Sequence, residues 1–133
     1  MNAHAISSPH APAAIGPYSQ GIVCGEFLYT SGMLGADPER GALAQGAAAQ
    51  MRQAMTNLGA VLAAAGADFS HVVKTTVFVQ DLAHFQEINE VYAGFFTGAC
   101  PARSCVQVAA LPKGALLEVE AVAWLGKKAA QNG

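Results

Sequence analysis

The chain has 133 residues, 53% hydrophobic and 12% charged, a length that fits one domain and one core. Seven Lys and Arg against nine Asp and Glu give a formal net charge of −2, so no basic field exists to gather phosphates and nucleic acid is a poor partner. The three cysteines are odd in number and lack CxxC spacing, which fits reduced thiols in a cytoplasmic compartment, and no apolar run reaches the roughly 18 residues of a membrane helix.

Residues 1–12 are Ala, Ser, His and Pro without periodicity and read as a flexible lead-in, ahead of a single domain over 13–128. From Gln20 to Ser31, β-branched and aromatic residues flank Gly25-Glu26, the pattern of two strands joined by a tight turn. Asp37-Pro38-Glu39-Arg40-Gly41 carries turn chemistry. Between about Ala44 and Ala65, Met51, Met55, Leu58 and Leu62 recur at helical steps, with Gly66 as a stop and Gln50, Gln53 and Asn57 on an opposite, polar face.

The β-branched run Val72–Val79 predicts a strand, and its apolar content on both faces predicts a central place in a sheet. Asp81 is positioned to cap a second helix running to about Phe96, with Phe85, Ile88, Tyr92 and Phe95 as its core stripe. Asn89 lies four residues after Phe85, so it either meets a polar partner or edges a site. Two further strands, Arg103–Ala109 and Leu116–Leu125, flank the turn Leu111-Pro112-Lys113-Gly114. The order β-β-α-β-α-β-β predicts an α+β domain, one sheet with two helices on one face.

A charge inside an apolar strand is where chemistry is sought. Arg103 shares a strand face with Cys105 and Gln107, and its planar paired donors match a carboxylate, whether that of a substrate or of a structural salt bridge. Glu118 and Glu120 share a face of the last strand, where like charge and partial burial would raise a pKa and suit acid or base work; a solvated strand face, or pairing of one of them with Arg103 or Lys74, fits the pattern equally. Cys105 has no histidine at a recognisable motif position and reads as a small hydrophobe rather than a nucleophile. His4, His10, His71 and His84 show no metal-binding spacing, and no glycine-rich phosphate loop is present, so neither a metal nor a nucleotide cofactor is expected.

The run Pro101-Ala102-Arg103-Ser104-Cys105-Val106-Gln107-Val108-Ala109-Ala110-Leu111-Pro112-Lys113-Gly114, followed by Leu117-Glu118-Val119, closely resembles the C-terminal signature of the RidA/YjgF family. The resemblance extends over Ile15–Gly21, Thr30-Ser31-Gly32, Gln50–Ala54, Val73–Val79 and Asn89 with Tyr92, nearly the whole chain. It implies a chorismate-mutase-like fold in a homotrimer, with cofactor-free sites between subunits that hydrolyse 2-imino or 2-enamino acids to 2-oxo acids and ammonia. Carried over residue by residue, Arg103 would bind the substrate carboxylate with help from the Gly32 backbone. Glu118 would activate water, and Tyr18, Asn89 and Cys105 would line the pocket. Met33 and Cys100 depart from the pattern beside these positions and would alter pocket polarity. The resemblance also admits an endoribonuclease or translation inhibitor, against which the low basic content weighs. A non-catalytic trimer that binds a small carboxylate is the third reading.

Overall fold

The computed structural model describes residues 3–126. Strand β1 (Ala3–Ile6) pairs antiparallel with β2 (Gly21–Cys24), which pairs with β3 (Phe27–Thr30) across a two-residue turn. Gly25 takes a positive φ of 59° in that turn, which a residue with a Cβ adopts only at a cost. A two-residue strand, β4 (Met33–Leu34), precedes helix α1 (Ala47–Ala64), strand β5 (Val72–Val79), helix α2 (Phe85–Ala93) and strands β6 (Ala102–Gln107) and β7 (Leu117–Trp124). The sheet order is β1-β2-β3-β7-β5-β6, with β4 also on β7. The one parallel pair among the described residues, β5 with β6, is the one whose connection carries α2 as a crossover.

The α+β class, the two helices on one face and the strand over Val72–Val79 agree with the sequence pattern. Three features differ. Residues 3–6 are a paired edge strand rather than part of a flexible lead-in, because their backbone groups complete the ladder with 21–24, while Met1, Asn2 and positions 127–128 lie outside the described residues. Asp81 caps a 3-10 turn over Leu82–His84, accepting from the Ala83 N–H, and α2 begins only at Phe85. The third concerns α1, whose polar side is not all exposed: Gln50 and Asn57 are buried.

Those buried amides take over backbone hydrogen bonds that the irregular segment beside α1 cannot make for itself. Asn57 Nδ2 donates to the carbonyls of Leu34 (3.0 Å) and Ala36 (2.8 Å). Gln50 donates to the Ala44 carbonyl at 3.0 Å and accepts from the Leu116 N–H at 2.9 Å. Strand β4 and the start of β7 are thereby tied to one helix. The core lies between α1 and the sheet, where Met51, Met55, Leu58 and Leu62 meet Leu28, Val77 and Val119.

Strand alternation divides the sheet into a helix-covered face and an open one. Leu117, Val119, Ala121 and Ala123 of β7 are buried under the helices, so Glu118, Glu120, Val122 and Trp124 point the other way. On β5, beyond buried Val72 and the bulge that follows it, the buried residues are Thr75, Val77 and Val79. Their β6 neighbours in register are Arg103, Cys105 and Gln107, which therefore belong to the helix-covered side.

Candidate active site

Arg103 leaves the edge strand β6 beneath α2. Its Nη1 donates to Asn89 Oδ1 at 2.6 Å, and its guanidinium carbon lies 5.5 Å from the centroid of the Phe85 ring and 5.0 Å from that of Tyr92. Residues 85, 89 and 92 share one side of the helix by their spacing, so about two turns of α2 supply both ring contacts and the acceptor. None of the ion pairs among the described residues involves Arg103 or Lys74; the latter donates to Ser104 Oγ at 3.2 Å. A half-buried guanidinium with its charge uncompensated and some of its N–H groups unused is ready for an anion. Cys105, two residues on, is half-buried, and burial pushes its thiol above the ordinary range while the nearby Arg103 charge opposes this.

Glu118 stands on the open face. Strand β4 runs beside it, with Leu34 as its register partner, and the chain just before β4 passes so close that a Cβ on Gly32 would lie 2.5 Å from the carboxyl carbon of Glu118. Only glycine fits there without moving the carboxyl. Burial raises the Glu118 pKa above its ordinary 4.5, and the neighbouring carboxylate of Glu120 adds to the rise. A carboxyl whose charged form is disfavoured in this way takes a proton more readily than an exposed one and can return it.

Tyr18 lies on the loop between β1 and β2. That loop is anchored by buried Gln20, which accepts from the Ser8 N–H at 2.6 Å and donates to the carbonyls of Ser8 and Pro12 at 3.2 and 2.8 Å. Tyr18 is 52% exposed and borders a cleft of about 620 Å³ with Ser8, Pro9 and Pro38, one that neither Arg103 nor Glu118 lines. The sequence-predicted residues thus form two groups in one chain. Asn89, Arg103 and Cys105 gather on the helix-covered side, Gly32 and Glu118 on the open side, and Tyr18 stands apart from both.

The family model described as Endoribonuclease L-PSP matches residues 8–125. The chain belongs to this family, the RidA/YjgF family. A 2-iminobutanoate/2-iminopropanoate deaminase of Bos taurus is 50% identical over 122 residues, 91% of this chain and 89% of that one. The crystal structure of E. coli TdcF with bound serine superposes with a TM-score of 0.88 at 43% identity, covering 91% of this chain and 98% of that one. The YjgF gene product of E. coli gives the same TM-score at 45% identity, again over 91% and 98%.

Within this RidA/YjgF chain some assignments made from the sequence change. Phe85 is 37% exposed and faces Arg103 rather than filling the core, because it opens α2 at the sheet's edge. Met33, which the sequence places beside the pocket, is buried on the helix-covered side opposite Val119, so its departure from the family pattern alters the core and not the Glu118 side. Neither Glu118 nor Glu120 pairs with Arg103 or Lys74. The part Tyr92 plays was missed altogether. Its signal was the coincidence of an aromatic, an amide and a second aromatic at helical spacing with a lone Arg on the following strand.

Proposed function

We propose that the chain is a cofactor-independent imine/enamine hydrolase that converts 2-imino and 2-enamino acids to 2-oxo acids and ammonia, working as a cytoplasmic homotrimer. The observation that carries this reading is the separation just described: a carboxylate-ready guanidinium and a proton-ready carboxyl lie on opposite faces of one sheet. Two copies bring them together when the open face of one meets the Arg103 edge of the next. The exposed rings of Phe27 and Tyr29 on that open face, together with Val106 on β6, are apolar surface of the kind an interface between subunits covers. Cys24, Cys100 and Cys105 are free thiols, in keeping with a reducing compartment. The deaminases at about 50% identity support the reaction class.

In this reading Arg103, held by Asn89, receives the substrate carboxylate through its remaining N–H groups, and the Gly32 backbone assists. The imine carbon is then fixed in front of a water lying against Glu118. Glu118 takes a proton from that water as oxygen bonds to carbon, the C=N π pair moves to nitrogen, and nitrogen gains a proton from solvent to give a carbinolamine. A second proton on nitrogen, returned by the Glu118 carboxyl, turns it into a leaving group. The hydroxyl of the carbinolamine loses its proton to the Glu118 carboxylate, which releases it to solvent, as C=O forms, the C–N bond breaks and ammonia departs. Tyr18 and Cys105 complete the walls, and the neutral thiol suits a small apolar side chain.

The test is the rate at which 2-iminobutanoate and 2-iminopropanoate, generated in situ from the amino acids by an oxidase, disappear with wild type, Arg103→Ala and Glu118→Gln. Wild type should accelerate hydrolysis. Glu118→Gln should lower kcat by roughly 10³-fold with little change in KM, and Arg103→Ala should lower kcat/KM by roughly 10²-fold, chiefly through KM. A wild-type rate equal to that of buffer would overturn the reading and favour a trimer that only binds small carboxylates.

A further inference from the structure

The guanidinium of Arg103 has a support that its role does not explain. Thr75, fully buried on β5, is the direct register neighbour of Arg103 on β6. Its Oγ1 shares a hydrogen bond of 2.7 Å with the hydroxyl of Tyr92, a residue only 5% exposed whose ring also packs against Phe96 at a centroid distance of 4.9 Å. The ring is therefore fixed at two points, by its phenol end and by one neighbour, and the surface it offers to Arg103 cannot turn. A buried threonine on a central strand could be valine at no loss of shape; a hydroxyl there needs a partner, and it has one.

We infer that Thr75 and Tyr92 form a positioning pair, in which the shared hydrogen bond locks the Tyr92 ring against the Arg103 guanidinium and so sets the direction in which its unused N–H groups meet the substrate carboxylate. The inference rests on the reading of Arg103 as the carboxylate fork. Asn89 and the exposed Phe85 ring, which has no hydroxyl to anchor it, cannot do this work alone. One hydrogen bond at Nη1 leaves the guanidinium able to swing about that contact, whereas a ring held against it defines a plane. Tyr92 stays a neutral phenol, since burial raises its pKa, and so adds no charge to compete with the substrate for Arg103. The ring and not the hydroxyl faces Arg103, so the hydroxyl acts at one remove, through orientation.

Two variants remove one partner each and spare the ring: Thr75→Val and Tyr92→Phe. Because Arg103 holds the carboxylate in ground state and transition state alike, each should raise KM for 2-iminobutanoate by roughly tenfold and leave kcat within about twofold. Thr75→Ser, which keeps the hydroxyl, should restore the wild-type KM. A second readout needs no substrate: in the full-length protein with 15N-labelled arginine, the two Nη groups of Arg103 should give separate proton signals in wild type and averaged ones in both variants. Unchanged KM and unchanged Arg103 signals, with only a lowered melting temperature, would overturn the inference and make the pair simple packing. Should the signals average as expected while wild type hydrolyses no imine, the positioning pair stands and the deaminase reading falls.

Discussion

The two halves of the candidate site are built by opposite strategies. Arg103 is surrounded by side chains that keep its charge attractive: an amide oxygen, two aromatic faces and no carboxylate among the described residues. Glu118 is surrounded by features that make its charge costly, namely partial burial and a second carboxylate, and the Gly32 backbone passes close beside it. The first environment suits a group that binds an anion without ever changing protonation. The second suits a group whose proton must come and go. Alternation on a pleated sheet puts the two on opposite faces, so one chain can build both environments but cannot join them.

The largest expected effect tests that division directly. At substrate well below KM, Arg103→Ala and Glu118→Gln are each expected to be nearly inactive as pure proteins. Mixed in equal amounts, unfolded and refolded together, they should regain roughly a quarter of wild-type activity, because in a closed ring that fraction of interfaces pairs an intact Arg103 with an intact Glu118 from the next copy. Activity measured before and after mixing decides the matter. No recovery, with mixed trimers demonstrated by mass, would mean that each chain completes its own site.

A smaller effect sharpens the Glu118 half. In Gly32→Ala the new methyl would fall 2.5 Å from the Glu118 carboxyl carbon, and the flexible carboxyl must yield before the backbone does. Displacing it by a fraction of an ångström from its water should lower kcat by roughly tenfold, with thermal stability reduced by only about 1–2 kcal/mol. An equal change at Gly25, in a turn remote from Glu118, would strain the hairpin and leave kcat alone, which is the control.

Much of this was legible in the chain itself. Val72–Val79, the hairpin about Gly25-Glu26 and the stripe Met51, Met55, Leu58 and Leu62 follow from periodicity, because each buries one continuous apolar face. Arg103 and Glu118 stood out as charges in apolar strands. What was hidden depended on partners far away in sequence. Ala3–Ile6 has no strand signal and is ordered by the ladder of 21–24. Gln50 and Asn57 look like solvent-facing helix residues until the carbonyls of Ala44, Leu34 and Ala36 are found beside them. Phe85 counted as core by helical spacing, since nothing in that spacing says where the sheet ends. The opposite facing of Arg103 and Glu118 required the parallel register of β5 with β6, which no local pattern encodes.

The smallest expected effect concerns Glu120, which separates the two causes of Glu118's raised pKa. Burial is the larger cause and Glu120 the lesser. As a base Glu118 must be ionised, so kcat/KM should fall as pH drops through its raised value, at a pH above the ordinary 4.5. Glu120→Gln removes the like charge and keeps the shape, so this acidic limb should move to lower pH while the plateau at higher pH stays put. The stability change has a definite sign as well. A carboxyl whose folded pKa is raised favours the folded state most below the unfolded value and loses that contribution as pH rises through the folded one. Relieving the repulsion should therefore stabilise Glu120→Gln at neutral pH, and the gain should vanish as Glu118 is protonated in the wild type. Denaturant midpoints measured across that range, beside the rate profile, decide whether the like charge or burial alone governs the Glu118 proton; a limb that stays fixed would assign the whole shift to burial.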